Sequence, residues 1–363
     1  MENSQHKNSR IIIKYAGAFI AWTIGSGFAT GQEILQFFSS YGMASYGIVF
    51  INLAGFLLLG LTIVLTGFAH QNEKKFNNFH FFCGEKLGTV YSWLIPATLF
   101  LIMSVLTSGA GAALYEYFGI SRSVGSAIMA AMVLCAYLAG FKKLISIVSM
   151  IGPVIIAFIL LVGTISVIRD FGNFSEISRY SSALAQSKAA PNWILSSFLY
   201  LSLTFLGGST YFTALGASAE DRKSVKAGVM LGAGFFILTI LIVNTAILLN
   251  AKEIASLDIP TLFLAKKISV WFAGTFAVIL VLGIFASCSA MMWTVCNKIS
   301  VSGTIKTRIL AAAVTAGVYV LSLFSFSKLL NIFYPIVGYM GLIFIGCVAY
   351  KGISTLFTKK KNS

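Results

Sequence analysis

The sequence predicts an all-α integral membrane protein of about ten transmembrane helices, arranged as two inverted halves with helices 1 and 6 discontinuous. Three observations carry that expectation. The 363-residue chain is 58% hydrophobic and 10% charged, with a mean hydropathy of +0.88, which excludes a soluble globular protein. Its apolar runs are continuous rather than alternating and long enough to cross a hydrocarbon core of about 30 Å. Helices or closed barrels alone satisfy their backbone in lipid, and continuous runs exclude the barrel. Finally, Gly25-Ser26-Gly27 interrupts the first span and Gly207-Gly208-Ser209 interrupts the sixth, each break beginning 14 residues after the span starts, at Ile11 and Trp193. Matched glycine interruptions in two halves point to inverted repeats with a binding site at the bilayer midplane.

The spans fall at Ile11–Phe38, Ser45–Phe68, Leu87–Phe118, Val124–Gly140, Leu144–Ile168, Trp193–Ala217, Val225–Leu249, Val270–Val295, Ile309–Phe324 and Leu330–Leu356. They make one transmembrane domain over 1–363, with repeat one at about 11–168 and repeat two at about 193–324; helix 10 extends repeat two to about 356. Between spans two and three, the stretch 70–86 mixes charges with Phe76, Phe79, Phe81 and Phe82, as in an interfacial amphipathic helix. The stretch around Pro260 fits a short helix-turn-helix over the outer mouth. Pro96, Pro153 and Pro335 lie inside spans, where membrane helices tolerate them as kinks.

The net charge of +15 does not mark a nucleic-acid partner, because the basic residues lie in the connections. Of 26 Lys and Arg, 18 fall on the side of the N-terminus and 8 opposite. The positive-inside rule then places both termini in the cytoplasm of a multi-pass protein of the bacterial cell membrane. Five cysteines without a CxxC spacing suggest neither a disulfide framework nor a metal site. The first span shows no A-x-A-like cleavage site, so it reads as a membrane span rather than a signal peptide. No HExxH, nucleophile elbow or phosphate loop is present, and neither enzymatic activity nor a cofactor is expected.

If the first span unwinds at Gly25–Gly27, the amides of Ser26, Gly27 and Phe28 would present partial positive charge to a carboxylate. The carbonyls of Ala21 and Ile24 would suit a cation. Each orphaned group would cost several kcal/mol in lipid unless a solute, ion or water met it. Gly27 and Gly31 equally fit close helix packing through a GxxxG pair. In span six, carbonyls near Thr204 could accept an ammonium group, Gly207, Gly208 and Ser209 form the break, and Phe205, Tyr211 or Phe212 could cover the solute. Glu33, the one acidic residue well within a span, is a candidate for coupling or gating. It stands five residues before the span's end, about 7.5 Å at helical rise. Ser287 and Ser289 in span eight could ligate Na⁺, although membrane hydroxyls usually bond their own or a neighbouring helix.

The ten-span plan and the two breaks resemble the amino acid–polyamine–cation superfamily with the LeuT-like fold. More narrowly, IGSGFATGQEILQFF is similar to the signature of YkvI-like bacterial membrane proteins. The resemblance implies a 5+5 inverted repeat and alternating-access transport of an amino-acid-like solute coupled to Na⁺ or H⁺. It assigns Gly25, Ser26 and Gly27 to the unwound substrate segment, and Ala21, Ile24, Ser287 and Ser289 to the sodium site. Some proton-coupled relatives carry a lysine midway along span five. Here Lys142 and Lys143 stand at its edge, which favours Na⁺. The expected partners are a small-molecule substrate and the lipid bilayer. A receptor that keeps the fold without transporting, or a passive channel, are the alternatives.

Overall fold

The structure, a computed structural model, describes the backbone of residues 2–73, 76–139, 141–299 and 305–361. The first crossing is in three pieces: α1 (Glu2–Thr23), α2 (Ser26–Ala29) and α3 (Gln32–Phe37). A tight turn leads into α4 (Ser45–Ala69), followed by α5 (Asn78–Phe118), α6 (Arg122–Ala139) and α7 (Phe141–Asp170). Short helical turns, including α8 (Ile177–Tyr180), cross to α9 (Trp193–Ala217) and α10 (Arg222–Leu249). The pair α11 (Ala251–Ile254) and α12 (Pro260–Ile268) precedes α13 (Val270–Ile299), α14 (Ile305–Ser322) and α15 (Phe326–Lys361). Among the described residues nine helical segments are long and apolar enough to cross a membrane, and the divided first span makes the tenth crossing.

Helix packing follows the exchange of spans 1–5 with spans 6–10. The partnership of α1 with α10 is matched by that of α9 with α4. Likewise α5 with α15 is matched by α13 with α7, and α5 with α6 by α13 with α14. Self-paired under the same exchange are α5 with α13, α4 with α10, and α6 with α14. Two halves folded alike and docked in opposite senses produce this pattern. Glycines set the closest approaches: a Cβ at Gly67 or Gly216 would run into the α9 or α4 backbone, and Gly228 and Gly232 admit α1 onto α10.

One expectation is corrected. Span six is not discontinuous: α9 runs unbroken over 25 residues, through Gly207-Gly208-Ser209. Its two glycines receive the indole of Trp22 instead; a Cβ on Gly208 would overlap Trp22 and meet Phe212, and a Cβ on Gly207 would lie 3.9 Å from the same ring. Glycine there removes side-chain bulk from a helix face and leaves the backbone ladder intact.

The interfacial helix expected before span three is the first part of α5. It is separated from the crossing by a hinge at Gly84, with φ 76 and ψ 176, a conformation open to glycine alone. Asn77 caps it by accepting from the Phe79 and His80 amides at 3.0 and 3.3 Å.

Candidate functional site

The break in span one forms where the sequence places it. Helix α1 ends at Thr23, whose hydroxyl turns back to the carbonyls of Ile20 and Phe19 at 3.1 and 3.3 Å. Gly25 then adopts an extended conformation (φ −80, ψ 176) and starts α2 with no side-chain cap. The first amides of α2 therefore begin without the Ser, Thr, Asp or Asn oxygen that ordinarily meets them. The Ser26 side chain lies outside the described residues, as do those of Lys142 and Lys143.

A second interruption follows within two turns. Gly31 has φ 77 and ends α2, the left-handed conformation that favours glycine. Here the freed groups are met. The Thr30 hydroxyl donates to Gly27 O at 2.7 Å and accepts from the Gln32 amide at 3.2 Å. Helix α12 supplies the rest: the Thr261 hydroxyl donates to Ala29 O at 2.6 Å and its amide to Thr30 O at 3.2 Å. The helix-turn-helix expected over the outer mouth is thus anchored on the backbone of the broken span.

Around the first gap, side chains from both halves converge. Trp22 stacks on Tyr211 with ring centroids 5.2 Å apart, and the Tyr211 hydroxyl donates to Ala18 O at 2.8 Å. Phe28 packs on Phe236 of α10 at 5.3 Å, which continues through Phe56 to Phe205 and Phe212. Trp22, Gly25, Glu33, Thr204, Gly207 and Tyr211 each retain some accessible surface, although most of their neighbours are buried.

Glu33, on α3, folds back over this region. Its carboxyl lies against the buried Tyr334 hydroxyl of α15. Both groups close on Gly27: a Cβ there would lie 2.5 Å from Glu33 Oε1 and 2.7 Å from Tyr334 Oη. Gly27 is a glycine because those two oxygens occupy the space of its side chain.

The remaining expected residues separate into two groups. Ser209 is drawn away from the gap, accepting from Asn78 Nδ2 at 2.5 Å. Phe205 is buried in the aromatic core, and Thr204 donates back to Tyr200 O at 3.0 Å. Of the sodium set, Ile24 is buried and Ala21 exposed on α1, while Ser287 is half-buried on α13. The Ser289 hydroxyl is buried with no hydrogen-bond partner among the described residues. Helix α13 packs on α2, beyond the gap, whereas α1 packs chiefly on α10 and α9.

Sequence reasoning missed Trp22, Tyr200, Tyr334 and Thr261. Trp22 carried a signal, since a tryptophan three residues before a glycine break needs a flat surface of small residues. The others lie hundreds of residues away in the chain.

No family model matches the chain. It is 24% identical over 355 residues to the uncharacterized membrane protein YkvI of Bacillus subtilis, covering 97% of this chain and 98% of that one. It is 22% identical over 325 residues to the uncharacterized protein YyaD of the same organism, covering 90% and 92%. Among solved structures it is similar to the inward-facing conformation of Mhp1, with TM-score 0.57 and 12% identity over 93% of this chain and 75% of that one. A manganese transporter of Eremococcus coleocola aligns with TM-score 0.48 and 14% identity over 93% and 78%. The fold is LeuT-like, and the chain is a multi-pass membrane protein.

Proposed function

We propose that this chain is a secondary active transporter of the bacterial cytoplasmic membrane. It moves a small, amino-acid-like solute by alternating access, driven by an Na⁺ gradient, with both termini cytoplasmic. The carrying observation is the gap at Gly25: one crossing of a ten-crossing bundle is cut, and the cut is left uncapped. Orphaned backbone groups inside a bilayer are tolerated only where they line a cavity or meet a guest, and each costs several kcal/mol otherwise. Solute binding at the Gly25–Phe28 amides, with Thr204 and Tyr211 opposite, supplies that guest. The unpartnered Ser289 hydroxyl supports a sodium ligand on α13, with Ser287 and the Ala21 and Ile24 carbonyls completing the set.

Uptake into proteoliposomes is the test, with labelled amino acids as probes and Na⁺ and pH gradients imposed separately. Saturable accumulation against a solute gradient is expected. Absence of movement of any probe under either gradient would reject a transporter. Gly27→Leu and Gly208→Leu are expected to insert and to abolish uptake, the first by displacing Glu33 and Tyr334, the second by expelling Trp22. Normal uptake by both variants would reject this site.

A further inference from the structure

We infer that Glu33 is a proton-coupling group: it takes up and releases one proton as the gap beside Gly27 opens and closes. The inference rests on the transporter reading and adds a second coupling ion to it.

Glu33 is the one acidic residue well within a crossing, and no ion pair to it exists among the described residues. Its partner is neutral, the Tyr334 hydroxyl. Two aspartates at helix ends and loops stand differently: Asp170 pairs with Arg169 at 2.8 Å and Lys267 at 3.7 Å, and Asp258 pairs with Arg122 at 2.8 Å. The ionisable groups facing Glu33 are Tyr334 of α15 and Tyr200 of α9, and Cys288 of α13 faces Tyr334. Tyr41, in the turn after α3, is engaged with Ala190 at 2.7 Å. Every one of these is uncharged in its ordinary form, so no side chain around Glu33 supplies a positive charge.

An unpaired carboxylate inside a membrane protein is expensive, and such residues mark proton relays or ion paths. The space decides what cancels the charge. Oε1 and the Tyr334 hydroxyl already fill the side-chain volume of Gly27, so on that side a proton fits and an organic ammonium group does not. Tyr334 can serve both forms, donating to the carboxylate and accepting from the acid. Because Glu33 rides on α3, between the gap and α12, movement of the broken span changes its access to water.

The experiment has two arms on the full-length protein in liposomes. Infrared difference spectra are recorded while pH is raised stepwise. An acid carbonyl band that disappears on deprotonation is expected in the wild type and is expected to be missing from Glu33→Gln. Tyr334→Phe, which keeps the ring and removes the hydroxyl, should retain the band at a shifted frequency and midpoint. In the second arm, uptake of a labelled amino-acid mixture is driven by one pH unit with Na⁺ equal on both sides. About tenfold accumulation per coupled proton is expected, and Glu33→Gln should lose the stimulation by the pH gradient. Titrating carbonyl bands that are identical in the wild type and Glu33→Gln overturn the inference, as does wild-type uptake that follows Na⁺ and ignores pH; in both cases the transporter reading stands. If no probe moves under any gradient, that reading fails and this one with it.

Discussion

Two glycines with positive φ show how differently one residue type can be required. At Gly84 (φ 76, ψ 176) a Cβ would meet nothing within 4 Å, whereas at Gly31 (φ 77) it would meet Thr261 Cγ2 at 2.8 Å and Pro260 Cβ at 3.2 Å. Gly84→Ala therefore carries backbone strain alone, on the order of 1–3 kcal/mol. Gly31→Ala adds a clash that pushes α12 off the broken span. Both variants should melt at lower temperature than the wild type, and hydrogen exchange over 258–268 should rise only in Gly31→Ala. Equal exchange in the two would show that α12 is not held at Gly31. Neither φ is written in the sequence; a glycine's neighbours across the fold decide whether its small size or its freedom is being used.

At the scale of elements, the crossings were readable because apolar length and flanking charge fix where helices enter and leave lipid. Trp193–Ala217 was expected and is observed over the same residues. The gap at Gly25 was readable too, since Gly-Ser-Gly supports a helix poorly. The matching break in α9 was misread. Gly207-Gly208 has the same local composition, but composition does not reveal that Trp22 occupies the opposite face. The Glu33–Tyr334 pair was unreadable for the same reason, its members belonging to the first and last crossings. Local capping is a further element-scale device. Asp221 starts α10 by accepting from the Ser224 and Lys223 amides at 2.7 and 3.2 Å. The Ser224 hydroxyl first, and then those two amides, hold its carboxyl below the usual carboxylate value. A depressed value stabilises the fold above the ordinary carboxylate range, and the support is lost as pH falls through the folded value. Asp221→Ala should lower the melting temperature at neutral pH, with the difference closing in acid. A difference independent of pH would count against the cap.

Across the whole molecule, packing obeys an exchange of halves that the conformation of the helices does not. Spans one and six occupy equivalent places, yet only span one is cut. The cut span is gripped by α12, and α12 is in turn tied to the bundle through Asp258. That carboxylate pairs with Arg122 of α6 at 2.8 Å and accepts from Ser327 of α15 at 2.8 Å, beside a hollow of about 250 Å³ lined by Glu116 and Lys266. Asp258→Asn should speed exchange over 258–268 by up to about fivefold, because a half-exposed ion pair contributes at most about 1 kcal/mol. Unchanged exchange would mean that Thr261 alone seats the helix. The bundle was legible as a count of crossings; which struts join them was not, because polar pairs such as Arg122 with Asp258 leave no periodic trace.

The divided first span also bears on biogenesis. Its uninterrupted apolar helix, residues 11–23 of α1, falls short of the roughly 20 residues that partition unaided into a bilayer. Its chief neighbours, α9 and α10, are synthesised only after half the chain has emerged from the ribosome. The leading segment therefore finds its packing partners only when the second half arrives. Assembly of the two halves is then the step that commits the N-terminal segment to its place in the lipid.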